Sequence, residues 1–201
     1  MSGYACFLLG PTDQVRLYLR RYRTSEVDKC PARMGYHNAM VWYADVPVEW
    51  QGSYIGPVSE PTPAHTDPRW PTHCECGEAF RETDTWQLFQ ELLYRHVDTG
   101  VVTTIHEAPI GAMWYADWMP ESWHGPDGHC LVVKTPGGDW IVDGRASNCT
   151  RPDDWTHRCW VREGTPPRVT AGKSGNTCSA GAGSILIGTY HGFLRDGWLT
   201  P

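Results

Sequence analysis

The chain is 201 residues long, 40% hydrophobic and 20% charged, with a formal net charge of −6. That length can bury a substantial core, and the balance is that of a globular protein, not a disordered one. The negative charge argues against a protein that coats nucleic acid by bulk electrostatics, while leaving a local basic face open.

The opening stretch, MSGYACFLLGPTDQ, lacks a basic n-region, so it is not read as a signal peptide, and no apolar run approaches the length of a membrane span. On that reading the eight cysteines sit in a reducing compartment. Clustered cysteines there point to metal or catalysis more than to disulfides. A secreted chain would instead suggest four bridges.

The segment GPTDQVRLYLRRYR predicts a first helix. Thr12 or Asp13 can cap it, and Val15, Tyr18, Leu19 and Tyr22 recur at helical spacing. Arg16, Arg20 and Arg23 would share its other side, as a solvated face or as a contact for phosphate or an acidic partner. Residues 45–72, rich in Pro, Gly and Trp, read as an ordered but irregular connection. DTWQLFQELLYRHVDTG predicts a second helix, with Asp84 and Gln87 as a capping box and Gly100 as its end. Trp86, Phe89, Leu92, Leu93 and His96 would form its inner stripe, His96 as a core-edge histidine.

After residue 100 the pattern turns to β. GVVTTIHEAP predicts a strand, and HCLVVKTPGGDWIVDG a hairpin turning at Gly137 and Gly138. CWVRE and SILIG are short strands in a stretch otherwise dominated by Gly, Pro, Asn and Ser. The expected fold is α+β in a single domain, 1–201. A helical half, 1–100, joins through a zinc knuckle to a mainly antiparallel half, 101–201.

HCECG, before the second helix, crowds a histidine and two cysteines together. Gly77 allows a tight reversal that turns the Cys74 and Cys76 sulfurs toward one cation, and zinc favours such soft donors in a tetrahedron. Cys30 and His37, from CPARMGYH, can complete the set, with His73 and His65 in reserve. The C-x-C spacing is tighter than the usual C-x2-C, so free core thiols are the competing reading. A papain-like hydrolase offers a second reading, with Cys76 as nucleophile, His129 as base and Asp143 as orienting acid. Against it, a two-residue turn at Gly137–Gly138 places His129 and Asp143 on opposite faces of the hairpin.

Further on, Cys149, His157, Cys159 and Cys178 are spread through a polar, turn-rich stretch. His157 and Cys159, two apart, could make half of a second metal site, but a loop bonding its own backbone is the favoured reading. Arg145, Ser147 and Asn148, with Asp143, could instead line a polar binding pocket at the end of the hairpin. AGKSG is not a P-loop, because Pro167 stands where that motif requires Gly, and zinc-deaminase spacing is absent.

CFLLGPTDQVR, DPRWPTHCECGEAF, GAMWYADW, GPDGHCLVVKTPGGDWIVDGRASNCTRPDDWTHRCWVREGTPP and TCSAGAGSI…GTYHGFLRDG together resemble an uncharacterised bacteriophage protein family. The resemblance spans nearly the whole chain. It implies a phage origin, in host cytoplasm or virion, and favours Cys30, His37, Cys74 and Cys76 as the ligand set, while implying no activity. The resulting expectation is a phage-encoded accessory protein with structural Zn2+ that binds a host or virion protein through a Trp-rich surface. The hydrolase is the first rival. A nucleic-acid binder using Arg16, Arg20 and Arg23 is the second.

Overall fold

A computed structural model describes residues 3–24, 28–31, 35–47, 55–57, 62–154, 156–180 and 183–201, with only the backbone given at Ile55. The described residues contain no α-helix. In chain order the strands are β1 (Tyr4–Ala5), β2 (Phe7–Thr24), β3 (Tyr36–Pro47), β4 (Ile55–Pro57), β5 (Thr85–His96), β6 (Val102–Thr103) and β7 (Ala112–Tyr115). They continue as β8 (Leu131–Thr135), β9 (Gly138–Ile141), β10 (Val161–Thr165), β11 (Arg168–Gly172), β12 (Ile185–Ile187), β13 (Tyr190–Arg195) and β14 (Trp198–Thr200). A 3-10 turn, Glu121–Trp123, lies between β7 and β8.

The expected α+β class is therefore corrected to a mainly β fold, since both expected helices are long strands. The first is β2, paired antiparallel with β3 from Gln14↔Pro47 to Thr24↔Tyr36. The register slips between Leu17 and Tyr18, where Tyr43 is the extra residue in β3. At that slip Tyr18 is buried as well as Leu19, and two adjacent buried residues imitate part of a helical stripe. The second is β5, in which Gln90 through Tyr94 are all buried. A strand covered on both faces loses its period of two, so its apolar spacing cannot be told from that of a helix. Tertiary pairing overrides the helix preference of its Leu, Gln and Glu residues.

The chain forms two compact units, 12–93 and 1–11 with 94–201. We call them the inserted and the split unit. In the inserted unit β5 lies between β4 and β2, and β3 follows β2. Leu19, Trp70 and Leu88 pack together there, with Leu17, Tyr43 and Trp86 against them. The irregular connection expected over 45–72 is interrupted by β4; its residues 48–54 and 58–61 lie outside the described set.

In the split unit β7 runs parallel to the start of β2, Phe7↔Ala112, and pairs antiparallel with β8, which pairs with β9. A second sheet has the order β1-β14-β13-β12, and β10 and β11 form a hairpin. Met113, Leu131, Val133, Trp140, Trp160, Val169, Leu194 and Leu199 belong to one apolar interior, whose burial supplies the main driving force for this unit. The strand expected over 101–109 is confined to β6. The β8–β9 hairpin forms, but with Thr135 opposite Gly138, so its turn residues are Pro136 and Gly137. Proline pre-sets the first turn position, and Gly138, at φ +135°, supplies the left-handed backbone where the return strand begins. No helix among the described residues is long and apolar enough to cross a membrane.

Candidate metal centres

Cys30, His37, Cys74 and Cys76 converge in the inserted unit. One donor atom from each lies within 4.8 Å of the other three. His37 sits at the start of β3, opposite Arg23 of β2, and Cys30 comes from the connection between those strands. Cys74 and Cys76 lie on a tight turn: the Gly77 amide donates to the Cys74 carbonyl at 2.9 Å and the Cys74 amide to the Glu78 carbonyl at 2.8 Å. Gly77 has φ +90°, a conformation that strains any residue with a Cβ.

The Cys30 and Cys74 sulfurs are 3.7 Å apart, and Cys76 Sγ is 3.3 Å from His37 Nδ1. Tetrahedral zinc with Zn–S of about 2.3 Å has sulfur–sulfur edges of about 3.8 Å. The other imidazole nitrogen, Nε2, faces Asp28 Oδ1 at 3.3 Å, the carboxylate support that orients a ligating histidine. Asp28 is itself held by Arg81 at 3.1 Å and lies 3.0 Å from Arg23. Burial raises the Cys74 thiol, but hydrogen bonds from the Cys76 backbone and His37 outweigh it and bring it down to about 6. Cys76 accepts from the Glu78 backbone, which lowers its thiol, yet burial and the neighbouring Cys74 and Cys30 carry it above its ordinary value. The thiols cannot all ionise at this spacing without a cation among them.

The reserve ligands lie elsewhere. His73 Nδ1 bonds the Thr72 hydroxyl at 3.0 Å, and the His65 ring stacks on Trp86 at 4.2 Å. The residues of the hydrolase reading each have another partner. Cys76 faces His37, His129 Nδ1 lies 2.9 Å from Asp117, and Asp143 accepts from Arg162 at 3.0 Å and from the Leu131 amide at 3.1 Å. The three arginines of the nucleic-acid reading are engaged within the unit. Arg16 pairs with Asp45 at 2.9 Å, Arg20 bonds Asn38 at 2.8 Å, and Arg23 is buried against Asp84 at 3.1 Å. The three do not share one side: successive side chains of a strand alternate, so Arg21 and Arg23 lie on the buried face of β2 and Arg20 and Tyr22 on the half-buried one.

Cys149, His157, Cys159 and Cys178 converge in the split unit, where one donor atom from each likewise lies within 4.8 Å of the other three. This full set was not expected, since His157 and Cys159 precede β10 in irregular backbone and do not meet through a strand face. One signal was present in the chain. Cys30 and His37 are separated by six residues and Cys149 and His157 by seven, and each pair has two more cysteines downstream. The remaining cysteines, Cys6 and Cys130, are raised by burial to about 12 and about 11, as isolated core thiols are. Both quartets could hold a metal ion.

Arg145, Ser147 and Asn148 do line a cavity, of ≈ 490 Å3, together with Trp140, Trp160 and His191. The Arg145 guanidinium, however, donates to the carbonyls of Arg151, Pro152 and Asp154 at 3.0, 2.7 and 2.5 Å, so it folds the loop that carries Cys149. No protein-family model, curated protein or solved structure matches the chain.

Proposed function

We propose that this is a zinc-stabilised accessory protein, phage-encoded, that binds a host or virion protein, with its metal in a structural role. The observation that carries the metal part is the convergence of Cys30, His37, Cys74 and Cys76 from two distant stretches. Four protein donors close a tetrahedron and leave no position for a substrate, which favours architecture over catalysis. Zinc here would fasten the 28–31 segment and the 73–78 turn to the start of β3.

The binding role is supported by what that strand displays. Tyr36, Met40, Val41 and Trp42 of β3 are exposed, Trp42 to 58%. Neighbouring exposed apolar side chains of this kind mark protein-binding surfaces. Of the other described tryptophans Trp70, Trp114, Trp140 and Trp160 are buried, while Trp118 and Trp198 are exposed elsewhere in the sequence, so the β3 surface is narrower than the tryptophan content suggests. The phage assignment rests on the resemblance of the sequence motifs alone.

Metal analysis of the purified, folded chain tests the first part. Zinc that is lost on Cys74→Ser supports it, and a folded chain without zinc overturns it. Affinity capture from phage-infected cells, wild type against Trp42→Ala, tests the second part; equal recovery of every partner by the two would reject β3 as the surface.

A further inference from the structure

We infer that Cys149, His157, Cys159 and Cys178 form a second zinc site, which pins the 145–159 loop and the 173–180 segment to the interior of the split unit. The inference deepens the reading of the first quartet, because it extends the same chemistry to a separate set of donors.

The geometry is that of a closed thiolate–imidazole site. Cys149 Sγ lies 3.2 Å from His157 Nε2, Cys159 Sγ 3.7 Å from the same nitrogen, and Cys178 Sγ 3.6 Å from Cys159 Sγ. These separations suit one divalent ion bound by three sulfurs and a nitrogen. They are too long for any covalent sulfur–sulfur bond, and the three cysteines of the quartet are free thiols. His157 is fully buried and its Nδ1 faces the Asp154 carbonyl at 2.9 Å, which leaves Nε2 directed at the sulfurs. Asp154 also fixes the His157 backbone, because its Oδ1 accepts from the His157 amide at 3.3 Å.

Two of the sulfurs accept hydrogen bonds from backbone amides. The Ala146 amide donates to Cys159 Sγ at 3.2 Å and the Arg151 amide to Cys149 Sγ at 3.4 Å, which is how protein backbones spread thiolate charge around a metal. A divalent ion with three thiolates and a neutral imidazole carries one net negative charge. The Lys173 ammonium lies beside it, bonded to the Cys159 carbonyl and, at 3.3 Å, to the Cys178 carbonyl. No carboxylate belongs to the quartet, so the soft donors select zinc over magnesium or calcium.

Zinc per chain, measured by elemental analysis on the full chain, tests the site through two variants, Cys76→Ser and Cys178→Ser. The expected result is two zinc ions in the wild type, one in each variant and none in the double variant. One zinc, lost in Cys76→Ser but kept in Cys178→Ser, overturns the second site and leaves the first standing. One zinc with the opposite pattern overturns the first and leaves the second. Should Cys178→Ser fail to fold, mass spectrometry of wild-type protein treated with iodoacetamide decides the matter. Cys149, Cys159 and Cys178 protected until a chelator is added supports the site; ready alkylation of all three without chelator, or a Cys159–Cys178 disulfide in the isolated protein, overturns it.

Discussion

The two quartets contain the same residue types, three cysteines and a histidine, in very different surroundings. In the inserted unit the neighbours are polar and charged. Arg21, Arg23, Asn38 and Asp84 are buried beside the site's own His37, and the histidine is supported by a carboxylate that belongs to an arginine network. In the split unit Cys159 and Cys178 are members of the main apolar interior, and the histidine leans on a backbone carbonyl. A metal surrounded by charge replaces apolar packing, whereas a metal set against an apolar interior supplements it. The first should therefore matter more for folding than the second.

Metal removal is the most forceful way to break this contrast. Structural zinc contributes on the order of 10 kcal/mol to small domains that depend on it. Chelation should release hydrogen-exchange protection in β2 and β3 while β8 and β13 keep theirs. Equal loss in both units would show that the split unit leans on its metal just as heavily.

A smaller effect is expected from the buried arginines. Arg23 bonds Asp84 and lies beside Asp28, while Arg162 bridges Asp127 and Asp143. Removing either cation strands a buried carboxylate, at a cost of about 3–5 kcal/mol. Arg23→Met should lower both the denaturation midpoint and zinc affinity, because Asp28 supports His37. Arg162→Met should lower only the midpoint. Zinc titrations of the two variants check the difference, and unchanged affinity in Arg23→Met would sever the network from the metal.

Next in size is the carboxylate support itself. Asp28→Asn should weaken zinc at the first quartet by roughly 10- to 100-fold and leave the second untouched, as read by competition with a chromophoric chelator. Trp42→Ala should have the least effect on the fold. Exposed and belonging to neither quartet, it should shift stability by no more than about 0.5 kcal/mol, as measured by urea denaturation.

What could be read from the residues alone differs between the units in the same way. The C-x-C-G turn and the Cys30–His37 pair are local patterns, and local patterns survive in a linear text. So do the β8–β9 hairpin and the short strands at 161 and 185, each framed by turn residues. The long strands do not. In β2 Tyr18 is buried beside Leu19 opposite the bulge at Tyr43 of β3, and β5 is covered on both sides, so neither carries a clean alternation by which strands are recognised. The turn sits one position earlier than the Gly-Gly pair suggests because Pro136 starts it, which shifts the register by two, so that Val132 faces Ile141. Cys178 lies nineteen positions after Cys159, and only the folding of β10 onto β11 between them makes that separation short.

The pairing of β1 with β14, Tyr4 opposite Leu199, sets an order on assembly during synthesis. Residues 12–93 contain every donor of the first quartet and can close it while the ribosome is still translating the rest. The earliest strand must wait, its partner edge unmade, until residues 198–200 emerge. Stalled or shortened chains would thus carry a finished inserted unit and an unfinished split unit, with β1 free to pair elsewhere.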